Sequence, residues 1–182
     1  AATASGSWTG NSFRALSQDR VGKAEQLVPR ALRILILGGT SFLGPHQIRY
    51  ALERGHSVSI FTRGRTEPTM FPGVYSQVEH LIGDRAGNLD ALRDRRWDAV
   101  IDNSGQDVGW VRDSVDLLAD AAEYYLFTSS TGVFFPYLEV GLTEEDQPPL
   151  MDDPPREEPS YGVMKALSER EVQRAFGDRA II

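Results

Sequence analysis

The feature that most constrains the fold is an aliphatic run that ends abruptly in glycines, LRILILGGTSFLG at Leu32–Gly44. A continuous aliphatic run is typical of a strand that is buried on both faces of a parallel sheet. The residues after the glycines have helical periodicity, and Pro45 suits the first turn of that helix as Gly55 suits its exit. The segment therefore predicts a strand at Ile34–Leu37, then a tight turn and a helix.

Strands and helices alternate along the rest of the chain. Apolar runs predict further strands at Ser57–Gly64, Val78–Asp84, Asp98–Gly105 and Tyr124–Ser130, and a sixth, buried strand that opens within Arg179–Ile182. Helical periodicity predicts helices at Leu89–Trp97, Val111–Ala122 and Ser160–Phe176. This alternation predicts an α/β chain with a Rossmann-type fold, which is a doubly wound parallel sheet with helices on both faces.

The expected domain boundaries follow from where the alternation begins. Residues 1–31 have weak periodicity apart from a short helical segment at Val21–Val28, and we expect an N-terminal tail or arm there. Residues 32–182 are expected to form one nucleotide-binding domain with an acidic, proline-rich loop at Thr143–Pro159. Because the last residues resemble the opening of a buried strand, we expect the chain to be a fragment that lacks a C-terminal substrate part.

Composition limits the partners. The 182 residues include no cysteine, and the net charge is −7. A nucleic-acid partner needs a basic surface, so this charge disfavours one. No apolar run approaches the ~20 residues of a membrane span, and the three histidines lack metal-ligand spacing. We therefore expect no membrane and no metal, and a cytoplasmic protein, with export after signal removal as the alternative.

The glycine-rich turn predicts a phosphate-binding loop. Glycine permits a positive φ and lets the backbone approach a ligand, and a helix N-terminus attracts negative charge. The spacing of Gly38, Ser41 and Gly44 suits a dinucleotide pyrophosphate, with the last glycine allowing the helix to lie close to the strand. A purely structural turn is the alternative. The residues expected to contact the cofactor here are Gly38, Thr40, Ser41, Phe42, Leu43 and Gly44.

The residue that ends the second strand should select the cofactor. A carboxylate there would bind the ribose hydroxyl of NAD, whereas an arginine would bind the 2′-phosphate of NADP. The strand ends in FTRGR, which places Thr62 where an acid would stand and Arg63 and Arg65 around a glycine. The sequence therefore favours NADP, with NAD remaining open. The alternative is that both arginines are simply solvated.

Polar residues also end the third and fourth predicted strands. Ligands of open α/β sheets bind outside the carboxyl ends of the strands, so Asn103 and Ser104 are expected to contact the cofactor. Asp84 ends the third strand within GDR. Its carboxylate could accept from an adenine amino group or cap the following turn, and the sequence leaves both open.

A second motif, YGVMK, places Tyr161 and Lys165 four residues apart on one face of the predicted long helix. A tyrosine hydroxyl is ordinarily too weak an acid to act as a base at neutral pH, and a nearby ammonium stabilises the phenolate. Such a pair suits general acid–base chemistry. Ser129 and Ser130 end the fifth strand, where a serine hydroxyl could hold the oxygen of a substrate.

Together these motifs resemble the short-chain dehydrogenase/reductase superfamily, most closely its extended NAD(P)-dependent epimerase/dehydratase group. The resemblance covers Leu32–Ile182 and includes the glycine loop, FTSSTGVF and YGVMK; GGTSFLG with FTRGR is similar to one bacterial branch. Ser41 departs from the pattern because it replaces the usual middle glycine. Phe134 departs as well, because many relatives have tyrosine there.

The resemblance implies roles for several residues. Tyr161 would be the catalytic acid–base, and Lys165 would tune it and hold the nicotinamide ribose. Ser130 matches the catalytic serine because it lies three residues before Val133, and Thr131 is a second candidate. The implied reaction is hydride transfer at a hydroxyl-bearing carbon of a small substrate, such as a nucleotide sugar. Homodimerisation through the helices that contain Val111–Ala122 and Ser160–Phe176 is also implied.

Two other functions stay open beside the enzyme. The chain could be a catalytically silent dinucleotide-binding sensor or scaffold, although the complete set of Ser130, Tyr161 and Lys165 favours turnover. An atypical plant branch of the superfamily is associated with RNA. The negative charge counts against nucleic-acid binding for this chain.

Overall fold

The computed structural model describes residues 30–135, 140–143, 146 and 160–182. The chain divides after Arg30, and the described elements belong to the unit that starts at Ala31. The expected helix at Val21–Val28 and nearly all of the expected N-terminal arm lie outside the described residues, as does most of the loop expected at Thr143–Pro159.

Six strands form one sheet, and every pairing in it is parallel. The spatial order is β3-β2-β1-β4-β5-β6. The strands are β1 Arg33–Leu37, β2 Ser57–Thr62, β3 Glu79–Ile82, β4 Trp97–Asp102, β5 Ala122–Phe127 and β6 Ala180–Ile181. This topology confirms the predicted doubly wound Rossmann-type sheet, in which the chain reverses its direction of travel between β1 and β4.

Within the described ranges, the sheet is covered by three α-helices, α1 Leu43–Glu53, α2 Val108–Leu118 and α3 Tyr161–Phe176. Successive side chains of a strand point to opposite faces, so β1 contributes to two cores. Leu35 and Leu37 join the core cluster that contains residues of α2 and α3, whereas Ile34 and Ile36 join the cluster that contains residues of α1. The aliphatic run of β1 is thus fully used, because both faces of the sheet are covered.

The helix predicted at Leu89–Trp97 is wrong. The segment contains only a short 3₁₀ turn at Asp90–Leu92, after which Arg93 is extended and Asp94 has a φ of 58°. Trp97 instead begins β4, and its side chain is buried in the core. Burial of this large aromatic side chain outweighs the helix propensity of the charged residues before it.

Two further boundaries differ from expectation. The second helix begins at Val108 rather than Val111 and ends at Leu118, so that Ala122 opens β5. The sixth strand forms, but it is an edge strand paired only with β5 among the described strands, and the side chain of Ile181 is 51% exposed. Its predicted burial is therefore wrong.

Among the described residues, no helix combines the length and apolar character that crossing a bilayer requires.

Candidate functional site

A cleft of about 330 Å³ opens at the carboxyl edge of the sheet. It lies between the glycine-rich loop after β1 and the ends of β2, β3 and β4. In an open α/β sheet this edge, at the point where the strand order reverses, is where ligands bind. The predicted cofactor contacts that line the cleft are Gly38, Thr40, Ser41, Arg63, Arg65, Asp84, Asn103 and Ser104.

The glycine-rich loop adopts a conformation that glycine makes accessible. Gly38 and Gly39 have φ values of 94° and 116°, and the N–H of Gly38 donates to the carbonyl of Phe61 at 2.9 Å. A Cβ atom at Gly44 would overlap the backbone of Gly39, so α1 begins in direct contact with the turn. The loop thus brings bare backbone to the cleft, and α1 begins directly behind it, which suits a phosphate group.

Phe42 and Leu43 do not line the cleft. Phe42 has a φ of 47° and its side chain is 80% exposed, while Leu43 is 41% exposed. Gly44 is buried beneath the turn and does not line the cleft either. The contacts predicted for these three residues stay predictions.

The end of β2 presents two exposed arginines to the cleft. Arg63 and Arg65 both line it, with Gly64 between them at a φ of 67°. The hydroxyl of Thr62 accepts from the N–H of Gly64 at 3.2 Å, so it supports the turn. No carboxylate follows directly after β2, and the cationic side chains stand where the cofactor ribose is selected in this type of fold.

Asp84 makes the turn contacts that the sequence offered as one of two alternatives. Its carboxylate accepts from the N–H of Ala86 at 3.1 Å, and its backbone exchanges two hydrogen bonds with Asn88. Asp84 also lines the cleft. The turn role is therefore observed, and contact with an adenine group stays a prediction.

Asn103 connects three elements at the edge of the sheet. Its side-chain amide donates to Gln47 of α1 at 2.6 Å, and its carbonyl oxygen accepts from the Thr128 hydroxyl at 2.9 Å. The next residue, Ser104, donates its N–H to Asp102 at 3.0 Å. The ends of β4 and β5 and the first helix are thus held together immediately below the cleft.

Sequence reasoning missed a buried ionic cluster under the same cleft. Arg85 donates to one carboxylate oxygen of Asp102 at 2.6 Å, and the hydroxyl of Tyr125 donates to the other at 2.7 Å. Asp102 and Tyr125 are fully buried and Arg85 is 6% exposed. Arg85 also donates to the Ser104 hydroxyl and to the carbonyl of Trp110. The sequence signals for this cluster are Asp102, which ends an apolar strand, and Arg85, which follows Asp84.

Burial and charge act in opposite directions in this cluster. Burial is the largest influence on Arg85 and disfavours its charged form, but the charge of Asp102 and the hydrogen bonds of the cluster together outweigh it, so the pKa of Arg85 is raised. Burial, followed by the charge of Asp102, raises the pKa of Tyr125 well above its ordinary value. Arg85 and Asp102 therefore remain an ion pair with a neutral phenol beside it, and the three side chains fix the ends of β3, β4 and β5 relative to one another.

Lys165 lies on the buried side of α3. It is 4% exposed, and its ammonium donates to the carbonyl of Thr128 at 2.8 Å and lies 4.5 Å from the centre of the Phe127 ring. Burial lowers the pKa of Lys165, and the charge of Asp102 partly opposes this shift. The lysine is thus anchored to the end of β5, with one of its three N–H donors used by Thr128.

Tyr161 begins α3, which packs against the 3₁₀ turn that Ser130 caps after β5. Tyr161 is 58% exposed, and its ring centre lies 6.0 Å from the ammonium of Lys165. A Cβ atom at Gly162 would overlap the carbonyl of Gly132, which allows the close approach. The hydroxyl of Ser130 accepts from the N–H of Gly132 at 3.1 Å, so it caps the 3₁₀ turn at Thr131–Phe134.

Ser129 points elsewhere, since its hydroxyl donates to the carboxylate of Glu169. The three side chains named from the resemblance, Ser130, Tyr161 and Lys165, are brought to the same end of β5, but they do not line the cleft of the glycine loop.

Comparison with known proteins identifies the fold. The chain is similar to vestitone reductase from alfalfa, at 21% identity and a TM-score of 0.63 over 79% of this chain and 52% of that one. It is also similar to UDP-glucose 4-epimerase from Brucella ovis in complex with NAD, at 17% identity and a TM-score of 0.63, covering 82% and 50%. MoeE5 in complex with UDP-glucose and NAD gives 22% identity and a TM-score of 0.59, covering 81% and 51%. The chain therefore has the Rossmann-type fold of these proteins, and it spans about half of their length.

In sequence, the chain is similar to chloroplast stem-loop binding protein of 41 kDa b from Arabidopsis thaliana. The two are 32% identical over 126 residues, which is 63% of this chain and 33% of the relative. No family model matches the chain.

Proposed function

We propose that this chain is the cofactor-binding part of an NAD(P)-dependent oxidoreductase or epimerase/dehydratase of the extended short-chain dehydrogenase type. The observation that carries the proposal is the cleft at the strand-order reversal, which the glycine loop before α1 lines on one side. Residues 32–182 would be the nucleotide-binding domain, and further chain would supply the substrate part. The fold and the length of the similar structures support this division.

The proposed cofactor is NADP. Arg63 and Arg65 line the cleft beyond β2 and would neutralise a 2′-phosphate, while the strand end lacks the carboxylate that would hold a 2′-hydroxyl. Two of the similar structures are complexes with NAD, so NAD is the alternative. The backbone of the glycine loop would hold the diphosphate in either case.

Three side chains would carry the chemistry around the nicotinamide, which supplies the hydride acceptor or donor when bound. Tyr161 would exchange a proton with the substrate hydroxyl, and its exposure leaves its face open to a substrate. Lys165 would stabilise the phenolate and hold a ribose hydroxyl with the donors that Thr128 does not use. Ser130 would bind the substrate oxygen. A small molecule, with a nucleotide sugar as the first class to try, is the proposed substrate.

Calorimetric titration of the chain with NADP and, separately, with NAD tests the cofactor. We expect NADP to bind more tightly, and Arg63→Ala or Arg65→Ala to weaken NADP about tenfold or more while NAD changes less than twofold. Arg93→Ala is the matched control, since Arg93 is exposed and its guanidinium bonds to Asp90 away from the cleft. Equal binding of NADP and NAD by every variant would contradict the NADP assignment. Absence of binding by either dinucleotide would contradict the proposal as a whole.

Turnover distinguishes the enzyme from a silent sensor. With the substrate part present, we expect nucleotide sugars to reduce bound NADP or to be isomerised, and Tyr161→Phe to lower kcat by at least about a hundredfold. The variant should retain its NADP affinity, because Tyr161 does not line the cleft. Dinucleotide binding without turnover across this substrate class would favour the sensor.

Binding of a nucleic-acid stem-loop is a second candidate, because the relative that is 32% identical bears that name. The net charge of −7 counts against it. An electrophoretic shift assay with a stem-loop RNA at 20 mM and 200 mM salt decides. A salt-sensitive shift would support this candidate, and no shift at low salt would remove it.

We also propose an assembly and a cellular location. The helices α2 and α3 would form a homodimer interface, which sedimentation at several concentrations tests. On this face Arg112 of α2 donates to Glu171 of α3, and Arg174 of α3 donates to Asp116 of α2. The cytoplasm is the proposed compartment, and fractionation of expressing cells would test it.

A further inference from the structure

Tyr75 connects the core to the glycine-rich loop. It lies in the 3₁₀ turn at Pro72–Gln77, between β2 and β3, and its side chain is 6% exposed. Its ring belongs to the core cluster that contains Ile36 and Ile60. Its hydroxyl donates to the carbonyl of Gly39 at 2.7 Å, across 36 residues of sequence.

This hydrogen bond fixes the orientation of one peptide group in the loop. In a planar trans peptide, the carbonyl of one residue and the N–H of the next point in opposite directions. Because the Gly39 carbonyl points to the buried hydroxyl of Tyr75, the N–H of Thr40 points away from the core. Thr40 lines the cleft, and within the described ranges its N–H makes no backbone hydrogen bond.

The peptide would not hold this orientation by backbone preference alone. Gly38 and Gly39 both have positive φ values, and glycine imposes no Cβ penalty on rotation of the peptide. Gly39 is buried against Gly44 of α1, so its carbonyl needs a hydrogen-bond partner within the protein. Tyr75 supplies that partner, and its own carbonyl lies 2.8 Å from Nε2 of His80.

We propose that Tyr75 is a positioning residue for dinucleotide binding: its hydroxyl holds the Gly39–Thr40 peptide so that the Thr40 N–H donates to the cofactor diphosphate. The inference rests on the proposed function for its ligand, while the orientation of the peptide is a property of the free protein. It assigns a specific task to a residue that neither lines the cleft nor belongs to the glycine motif.

The test compares two ligands on the 182-residue chain by calorimetry. NADP contains the diphosphate, whereas adenosine 2′-phosphate contains the adenine, the ribose and the 2′-phosphate alone. Tyr75→Phe should weaken NADP about five- to tenfold, which is the range expected for one lost hydrogen bond, and should change adenosine 2′-phosphate less than twofold. The matched control is Tyr50→Phe on α1, where the ring is 58% exposed, and it should change neither affinity.

Unchanged NADP affinity in Tyr75→Phe, or equal weakening of both ligands, would overturn the inference. Should the unaltered chain bind no dinucleotide, the proposed function fails, and a crystal structure of Tyr75→Phe tests the positioning role separately. A Gly39–Thr40 peptide that has turned, with the Thr40 N–H facing the core, supports the role. A peptide in its present orientation overturns it.

Discussion

The two ends of the carboxyl edge of the sheet are built differently. Below the glycine-loop cleft, Arg85, Asp102 and Tyr125 form a buried network, and Tyr75 supports the loop from the core. At the other end, beside β5, Tyr161 is 58% exposed. Lys165 is the exception there, since it is buried against the strand.

This difference indicates that the nucleotide end of the sheet edge is more rigid than the Tyr161 end. A site whose backbone donors are fixed before the ligand arrives loses less conformational entropy on binding. The nucleotide end satisfies that condition with bonds made among its own residues. The Tyr161 end presents its hydroxyl at the surface, so a substrate or further chain would have to complete its surroundings. Substitutions at the two ends should therefore differ most in their effect on stability.

The largest expected effect comes from breaking the buried ion pair. Asp102→Asn keeps the shape of the side chain but leaves Arg85 without its compensating charge, and we expect a loss of about 3–5 kcal/mol in the free energy of unfolding. Denaturation in urea measures it. The control is Asp98→Asn at the opposite end of β4, where the partner Arg33 is 59% exposed, and its loss should stay below about 1 kcal/mol. Similar losses in both variants would contradict the distinction.

Gly44→Ala should have the next largest effect. The added methyl group would overlap the backbone of Gly39, so helix or loop must shift, at a cost of about 2–3 kcal/mol. NADP binding, measured by calorimetry, should fall by more than about a hundredfold, because the displaced backbone is the proposed diphosphate site. Gly73→Ala is the control, since a methyl group there meets no atom within 4 Å, and it should bind NADP normally. If Gly44→Ala retained its NADP affinity, the glycine loop would not be the diphosphate site.

Two matched tyrosine substitutions sharpen the comparison directly. Tyr125→Phe removes a fully buried donor to a carboxylate, and we expect a loss of about 1.5–3 kcal/mol. Tyr161→Phe removes an exposed hydroxyl and should stay within about 0.5 kcal/mol of the unaltered chain. Thermal unfolding of the two variants side by side measures both. A larger loss of stability for Tyr161→Phe than for Tyr125→Phe would contradict the conclusion that the nucleotide end is the more rigid one.

The smallest expected effect is the pH dependence of a surface network between α2 and α3. A hydrogen bond from Arg112, together with Arg174, lowers the pKa of Glu171. A lowered pKa in the folded state adds stability above the unfolded pKa of about 4.3, and that stability is lost as pH falls through the folded value.

Glu171→Gln should therefore be less stable than the unaltered chain at pH 7, by an amount at the low end of measured salt bridges, because both arginines are about half exposed. The difference should shrink as the pH falls below the unfolded pKa of about 4.3 and disappear once the pH lies below the folded pKa, as followed by urea denaturation at several pH values. Glu67→Gln, at an exposed position outside the network, should show no such trend. A difference that grows on acidification would have the wrong sign.

The sequence was sufficient to predict those parts of the fold that depend on local pattern. The aliphatic run of β1 and the glycines after it form a pattern that is complete within 13 residues, Leu32–Gly44. The helix expected at Leu89–Trp97 does not form, because the position of Trp97 is determined by its burial in the core rather than by local propensity.

The supports of the candidate site could not be predicted in the same way. Arg85 and Tyr125 lie 17 and 23 residues from Asp102, and Tyr75 lies 36 residues from Gly39. Each contact depends on which strands are neighbours and on where their ends lie. A single sequence shows the residue types but does not show that three strand ends meet at one carboxylate.

The most direct test of the account is a crystal structure of the chain grown with saturating NADP. We expect the diphosphate to lie against the Gly38–Ser41 loop and the N-terminus of α1, with the 2′-phosphate between Arg63 and Arg65. Density for NADP at any other place, or a vacant cleft at a concentration that saturates binding in solution, would contradict the claim that this edge of the sheet is the dinucleotide site.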